Sequence, residues 1–206
     1  MTFLVEDVDH LLARGGRWMP RWGWHDDHRV NDKTPAYQPA FMQVRGEFAP
    51  FLTILRLIRA HSVLQLGIGP CDASHIVWRA VCGTAVSIDL SHMISSNGER
   101  YPGASTHTEQ AKMFARLNGP YDLLFIDAGH SQEDCALDEA DYCPLVRTGG
   151  IVAFHDALPR AEFPEVGVWR HLAASKEDIH TIGEEVGIAW YKKTSSTKLD
   201  GEASAP

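Results

Sequence analysis

The sequence predicts an α/β fold, a doubly wound and mostly parallel sheet with helices on both faces. Two observations carry this. Short apolar runs of strand length (62–66, 85–90, 121–126 and 151–154) alternate with segments whose apolar residues recur at three- and four-residue steps. Such alternation builds parallel sheets covered on both sides. Several runs also end in glycine or a carboxylate (Gly67, Asp89, Asp127, Asp156), and the carboxyl edge of a parallel sheet is where ligands bind.

The bulk properties agree. The chain has 206 residues, enough for one domain with modest extensions. Apolar residues make up 44% and charged residues 22%, an ordinary globular balance. The formal charge of -8 argues against non-specific binding to nucleic acid, whose phosphates would be repelled. No apolar run reaches bilayer-spanning length, and Glu6, Asp7 and Asp9 leave no signal-peptide core. Cys71, Cys82, Cys135 and Cys143 form no CxxC pair, so reduced thiols in a cytoplasmic setting are expected.

Taken in order, residues 1–41 read as an extension without regular period. It contains Trp18, Trp22 and Trp24 and the cluster His25-Asp26-Asp27-His28, and it is expected to pack on the domain, to cover its site as a lid, or to form a subunit contact. Residues 42–193 form the domain. Its first helix spans 42–60, and Pro50 either kinks it or starts its main part. A strand at 62–66 closes at Gly67, followed by a helix over 73–81 and a strand over 85–90. A short third strand is expected at 104–106, a helix over 109–117 and an apolar strand over 121–126. Ser131 and Asp134 have capping-box spacing and open a helix that runs to about Cys143, before Pro144. Gly149-Gly150 turns into a strand at 151–154. A helix over 166–174 and strands at 179–182 and 188–191 complete the domain, and residues 194–206, small and polar, read as a disordered tail.

The strand ends hold the chemistry. Gly67-Ile68-Gly69-Pro70 follows the first buried strand, where glycine lets backbone approach a ligand. A dinucleotide fingerprint would carry a third glycine where Asp72 stands, which disfavours a nicotinamide cofactor. Asp89 lies about 22 residues after Gly67, near the spacing of a ribose-binding acid. Asp127, His130, His155 and Asp156 end two strands expected to be neighbours. Two carboxylates with imidazoles can hold a divalent cation or supply a general base.

These residues resemble a known family, the class I S-adenosylmethionine-dependent methyltransferases with their Rossmann-like fold, in particular the small-molecule O-methyltransferase branch of macrolide-sugar and cephalosporin-pathway type. The matching stretches are 63–69, 86–89, 121–131 and 144–156, within a resemblance covering roughly residues 60–193. The resemblance implies seven strands, the last antiparallel. It implies a cofactor site of Leu66, Gly67, Gly69, Asp89, Leu90, Thr106, His107 and Asp127, with Ser105 beside the adenine. It implies Asp127, His130 and His155 as catalytic residues, and Asp127, His155 and Asp156 as holders of magnesium or another divalent cation. The family's relatives often have two adjacent carboxylates after the fifth strand. Here the first is His155, which suits a softer metal, or none.

The implied activity is methyl transfer from S-adenosylmethionine to a hydroxyl of a small-molecule acceptor, by a monomer or homo-oligomer that needs neither nucleic acid nor membrane. Two other readings use the same residues. One is a metal-dependent oxygenase with a two-histidine, one-carboxylate site. The other is a cofactor-binding interaction module without catalysis. The acceptor is set by loops and by residues 1–41, where no motif points to it.

Overall fold

The computed structural model describes residues 43–69, 72–161, 163, 166–175 and 178–194. The expected extension over 1–41, with its tryptophans and the His25–His28 cluster, lies outside them, as do residues 195–206 of the expected tail.

Helix α1 (Arg45–Leu57) leads into strand β1 (Ser62–Leu66), α2 (Ala73–Cys82) and β2 (Thr84–Ile88). A hairpin of β3 (His92–Ile94) and β4 (Arg100–Pro102) follows, then α3 (Glu109–Asn118), β5 (Tyr121–Ile126) and α4 (Gln132–Tyr142). A single 3-10 turn (Cys143–Leu145) enters β6 (Val146–Phe154), and α5 (Val168–Ser175), β7 (His180–Ile182) and β8 (Ile188–Lys192) complete the order. The sheet runs β4-β3-β2-β1-β5-β6-β8-β7. Its centre, β2-β1-β5-β6, is parallel, and β8 is antiparallel to β6 as expected for the last strand.

Alternation along the central strands sends side chains to two cores. Val63, Leu123, Phe125, Ile151 and Ala153 face α1 and α2. Leu64, Leu66, Leu124, Ile126, Val152 and Phe154 face α3, α4 and α5. In the first core the Trp78 ring lies 4.8 Å from Phe48 and 5.0 Å from Phe125, edge-on and tilted, arrangements that favour the ring quadrupoles. No helix among the described residues is long and apolar enough to cross a membrane.

Four expectations need correction. The sheet has eight strands rather than seven, because residues 92–102 form an antiparallel hairpin closed where Gly98 N–H donates to Ser95 O (2.9 Å). Residues 104–106 are loop, not strand. Ala104 N–H bonds the Asp89 carbonyl (3.1 Å), the Tyr142 hydroxyl donates to Thr106 O (2.5 Å), and Thr108 already caps α3. Gly149-Gly150 do not precede β6 but lie inside it, where Gly149 has φ +81° and the register with β5 shifts between Tyr121 and Leu123. Pro50 likewise does not start α1, since the helix begins five residues earlier and runs through it.

α1 is fixed at its far side by one carboxylate. Glu47, 3% exposed, accepts from the backbone N–H groups of Glu185 (2.9 Å), Val186 (3.2 Å) and Gly187 (2.9 Å), in the turn between β7 and β8. A buried charge is tolerable when donors surround it in this way. The segment just before α1 is thereby held against the strand ends.

Candidate active site

Four parallel strands end level with one another: Leu66 pairs with Ile88 and with Ile126, and Ile126 with Phe154. The ladder continues one residue further. Gly67 N–H donates to Ile88 O (2.8 Å), Asp127 N–H to Leu66 O (2.8 Å) and His155 N–H to Ile126 O (3.0 Å). Backbone bonds therefore set Gly67, Asp127 and His155 side by side along one edge. Gly67 has φ +85°, and a Cβ there would stand 1.9 Å from the Asp127 carbonyl oxygen, so only glycine fits this crossing.

Asp89 reaches back to the glycine loop. Its Oδ2 accepts from Ile68 N–H (2.8 Å) and Gly69 N–H (3.2 Å), and its Oδ1 from the N–H (2.9 Å) and hydroxyl (2.8 Å) of Ser91. Partial burial raises its pKa, but these donors outweigh it and hold the carboxyl below its usual range. Gln65 and Ser74 brace the loop from beneath: Gln65 Nε2 donates to Gly67 O (2.7 Å) and to Ser74 Oγ (2.6 Å). Asp72, at the missing third glycine, takes His92 at 2.9 Å and also Arg100, tying the start of α2 to the β3–β4 hairpin.

The other expected cofactor residues lie along the same edge. Leu90 is 78% exposed beside Asp89. The loop holding Ser105, Thr106 and His107 is drawn to the end of β2 by the Ala104–Asp89 bond. Thr106 is buried. His107 is about a third exposed, with Nε2 3.3 Å from Asp134 and Nδ1 3.6 Å from Asp138. Asp138 is fully buried in α4, and desolvation pushes its carboxyl up to about 6.

Beyond β5 and β6 the four polar residues converge. His155 Nδ1 lies 3.1 Å from Asp127 Oδ1 and 3.2 Å from Asp156 Oδ2. His130 Nε2 lies 3.1 Å from Asp156 Oδ2 and 3.8 Å from Asp127 Oδ1. Asp127, His130 and Asp156 each offer a ligand atom within 4.8 Å of the others. His130 is the exposed member (45%), whereas the His155 side chain is 7% exposed, with its Nε2 buried and without a hydrogen-bond partner among the described residues. Asp156 has φ 55°, a conformation that costs a non-glycine residue about 1–3 kcal/mol, and Arg160 pairs with its second oxygen.

The charges hold one another. Bonds to Asp127 and Asp156 raise the His130 pKa to about 10 against desolvation. Burial alone would lower His155, but the Asp127 charge and its bonds to both carboxylates lift it to about 10. Burial would raise Asp127 and Asp156, yet the imidazoles keep both below the ordinary carboxylate range.

Two residues of the site were not foreseen. Arg160 sits four residues after Asp156, in a loop without pattern. Gln43, just ahead of α1, is 5% exposed and donates from Nε2 to Asp127 Oδ2 (2.7 Å). Its distance of 84 positions from Asp127 left no local signal.

Comparison with known proteins agrees with this architecture. Residues 70–157 match a family model described as a methyltransferase domain. No curated protein matches the chain. Among solved structures, the chain is similar to the MycE methyltransferase from the mycinamycin biosynthetic pathway in complex with Mg and SAH, at 18% identity and a TM-score of 0.54, covering 91% of this chain and 54% of MycE. MycE has also been solved with Mg, SAH and mycinamycin VI. The chain thus spans about half the length of MycE. An O-methyltransferase from Bacillus cereus in complex with SAH is 16% identical with a TM-score of 0.50, covering 92% of this chain and 90% of that one. The resemblance read in the sequence is borne out in fold and in the family that the central stretch matches.

Proposed function

We propose that this protein transfers the methyl group of S-adenosylmethionine to a hydroxyl of a small-molecule acceptor. One observation carries the reading. The glycine loop and Asp89 stand at the ends of β1 and β2, and the polar cluster stands on the same edge at the ends of β5 and β6. A sulfonium nucleoside laid across that edge would have its ribose at Asp89, its adenine by Leu90 and the Ser105–His107 loop, and its methyl group facing the cluster. The methyltransferase-domain match over 70–157 supports the cofactor, and the SAH and mycinamycin VI bound to MycE support an acceptor of small-molecule class.

Methyl transfer is an in-line displacement, so the protein's first task is alignment, worth roughly 7–11 kcal/mol in favourable model reactions. The level strand ends supply a rigid frame for it. The second task is removal of the hydroxyl proton. His130 is the cluster's exposed member, and its neutral form would take that proton at Nε2. A conjugate acid near pH 10 makes it a strong base but keeps most of it protonated at neutrality, so turnover rises with pH toward that value. His155 and the carboxylates orient it.

The donor set also fits a divalent cation. Asp127, His130 and Asp156 each offer a ligand atom within 4.8 Å of the others, and His155 Nδ1 lies 3.1 Å from Asp127 Oδ1 and 3.2 Å from Asp156 Oδ2. Asp127, His155 and Asp156 would hold it. When bound, it would lower the acceptor hydroxyl's pKa and fix its orientation. A ring nitrogen in the set favours zinc, iron or nickel over magnesium.

Calorimetric titration with S-adenosylhomocysteine, with and without each cation, tests the reading. The expected result is binding by the wild type that Asp89→Ala weakens at least tenfold. A wild-type protein that takes up no S-adenosylhomocysteine under any condition sinks the proposal.

A further inference from the structure

A second concave site lies at the opposite edge of the sheet, where β5 and β6 begin. It is a cavity of about 510 Å³ whose polar lining is Arg116, Arg147, Thr148 and Lys193. Among the described residues no carboxylate lines it. In a chain with a formal charge of -8, such a gathering of cations does not follow from composition.

The fold itself brings them together. Gly149, at φ +81°, interrupts β6, and bulges of this kind re-aim side chains. Backbone bonds from Gly149 N–H to Lys193 O (2.7 Å) and from Lys193 N–H to Gly150 O (2.8 Å) set the bulge against the end of β8. Arg147 and Thr148 emerge exposed. Arg147 Nη1 and Lys192 Cε each stand 3.7 Å from where a Cβ on Gly149 would lie, so both side chains crowd one point. Lys193 Nζ is fixed by the carbonyls of Cys143 (2.8 Å), Pro144 (3.3 Å) and Val146 (2.6 Å). Carbonyl oxygens orient an ammonium without cancelling its charge.

The carboxylates nearby do not neutralise the group. Arg147 gives Nε to Asp122, which is buried and also accepts from the N–H groups of His61 (2.6 Å) and Ser62 (3.0 Å). The outer nitrogens of that guanidinium remain toward the cavity side, where Nη1 meets the Thr148 carbonyl at 3.5 Å. Arg116, 54% exposed, pairs loosely with the exposed Glu109 at 3.9 Å, a distance and exposure at which an ion pair is weak. Two guanidinium forks with a threonine hydroxyl beside them match the several oxygens of a phosphoryl group. The volume lies in the range of small-molecule sites, roughly 300–1,000 Å³, and far exceeds what a bare phosphate ion fills. Pro120 and Pro144 add apolar wall for the rest of such a molecule.

We propose that this cavity binds a small phosphorylated organic molecule, with Arg116, Arg147 and Thr148 donating to the phosphoryl oxygens, Lys192 and Lys193 supplying further positive charge, and the prolines flanking the organic body. The site is separate from the edge that carries Gly67, Asp89 and Asp127, and the inference does not depend on the methyl-transfer reading.

The test titrates phenyl phosphate, inorganic phosphate and phenol calorimetrically into the full chain at constant ionic strength, and then into the double variant Arg116→Gln, Lys192→Gln. Both substituted side chains are exposed, so the fold should persist; if it does not, Arg116→Gln alone takes its place with about a tenfold loss expected. The expected result is that phenyl phosphate binds more tightly than inorganic phosphate, that phenol does not bind, and that the double variant loses roughly ten- to hundredfold in phenyl phosphate affinity. Unchanged affinity in the variant overturns the assignment, because the anion would then sit elsewhere, for instance on the protonated histidines of the other edge. Equal affinity for inorganic and phenyl phosphate overturns the organic body of the ligand, and a wild type that binds neither phosphate overturns the site altogether.

Discussion

Adding a divalent cation to the protein should release protons, and the number follows from the cluster. His155 and His130 both have pKa values raised to about 10, so each carries its proton at pH 7. Their contribution to stability is complete below the unfolded value near 6.5 and is lost as pH rises through about 10. A ligating imidazole must be neutral, so His155 gives up its proton when a cation binds. The cation also takes over the carboxylate charge that keeps His130 protonated, and that ring then returns toward its ordinary value. Close to two protons per cation should therefore appear at pH 7. Affinity should climb up to a hundredfold per pH unit between pH 6 and 8, since each proton displaced contributes a factor of ten. Calorimetry of zinc or nickel binding in two buffers of different ionisation enthalpy counts the protons directly. His155→Gln should cut the count to about one and flatten the slope to tenfold per unit. A cation that binds with no proton release and with the same affinity at pH 6 and pH 8 would refute the placement, because no protonated ring nitrogen would then stand in its way.

Two substitutions test the frame beneath the site by thermal unfolding. Gly67→Ala places a Cβ 1.9 Å from the Asp127 carbonyl at φ +85°, and the conformation alone costs about 1–3 kcal/mol before the overlap is counted. It should lower Tm by several degrees and abolish S-adenosylhomocysteine binding, and an unchanged Tm would contradict the close crossing. Glu47→Ala leaves three backbone N–H groups without their acceptor, two of them buried. At about 1–3 kcal/mol for each of the two buried donors the loss is about 2–6 kcal/mol, or roughly 4–24 °C for a domain of this size, and a drop within 2 °C would show that α1 is held by other means.

The central sheet was legible because its strands are apolar on both faces and end at glycine or acid. Tyr121–Ile126 is buried throughout, at strand length and ending at Asp127. The capping box was equally local: Ser131 Oγ accepts from Asp134 N–H (3.0 Å) and bonds its carboxylate (2.7 Å). The β3–β4 hairpin was not legible, because its two strands are three residues each, β4 is wholly exposed, and polar residues fill the turn between them. The sheet's outer edge is held there by backbone bonds that leave no hydrophobic period. Gly149-Gly150 misled for a related reason. Glycine usually breaks a strand, but here it lets the strand bend past Asp122, whose carbonyl would stand 2.7 Å from a Cβ on Gly150.

In the site, the acids and histidines were visible because strand ends place them, and strand ends can be read. Gln43 and Arg160 were not, since both act from irregular segments on Asp127 and Asp156, and nothing in their own neighbourhoods marks them. The difference follows from what each group does. Asp127 and Asp156 stay ionised at low solvent exposure, which demands partners for every oxygen. The two imidazoles occupy one oxygen of each carboxylate. The remaining oxygens, Asp127 Oδ2 and Asp156 Oδ1, are the ones that Gln43 and Arg160 fill. Reading two buried acids at neighbouring strand ends therefore predicts two further donors on their outer sides, even where the chain gives no hint of which residues they are.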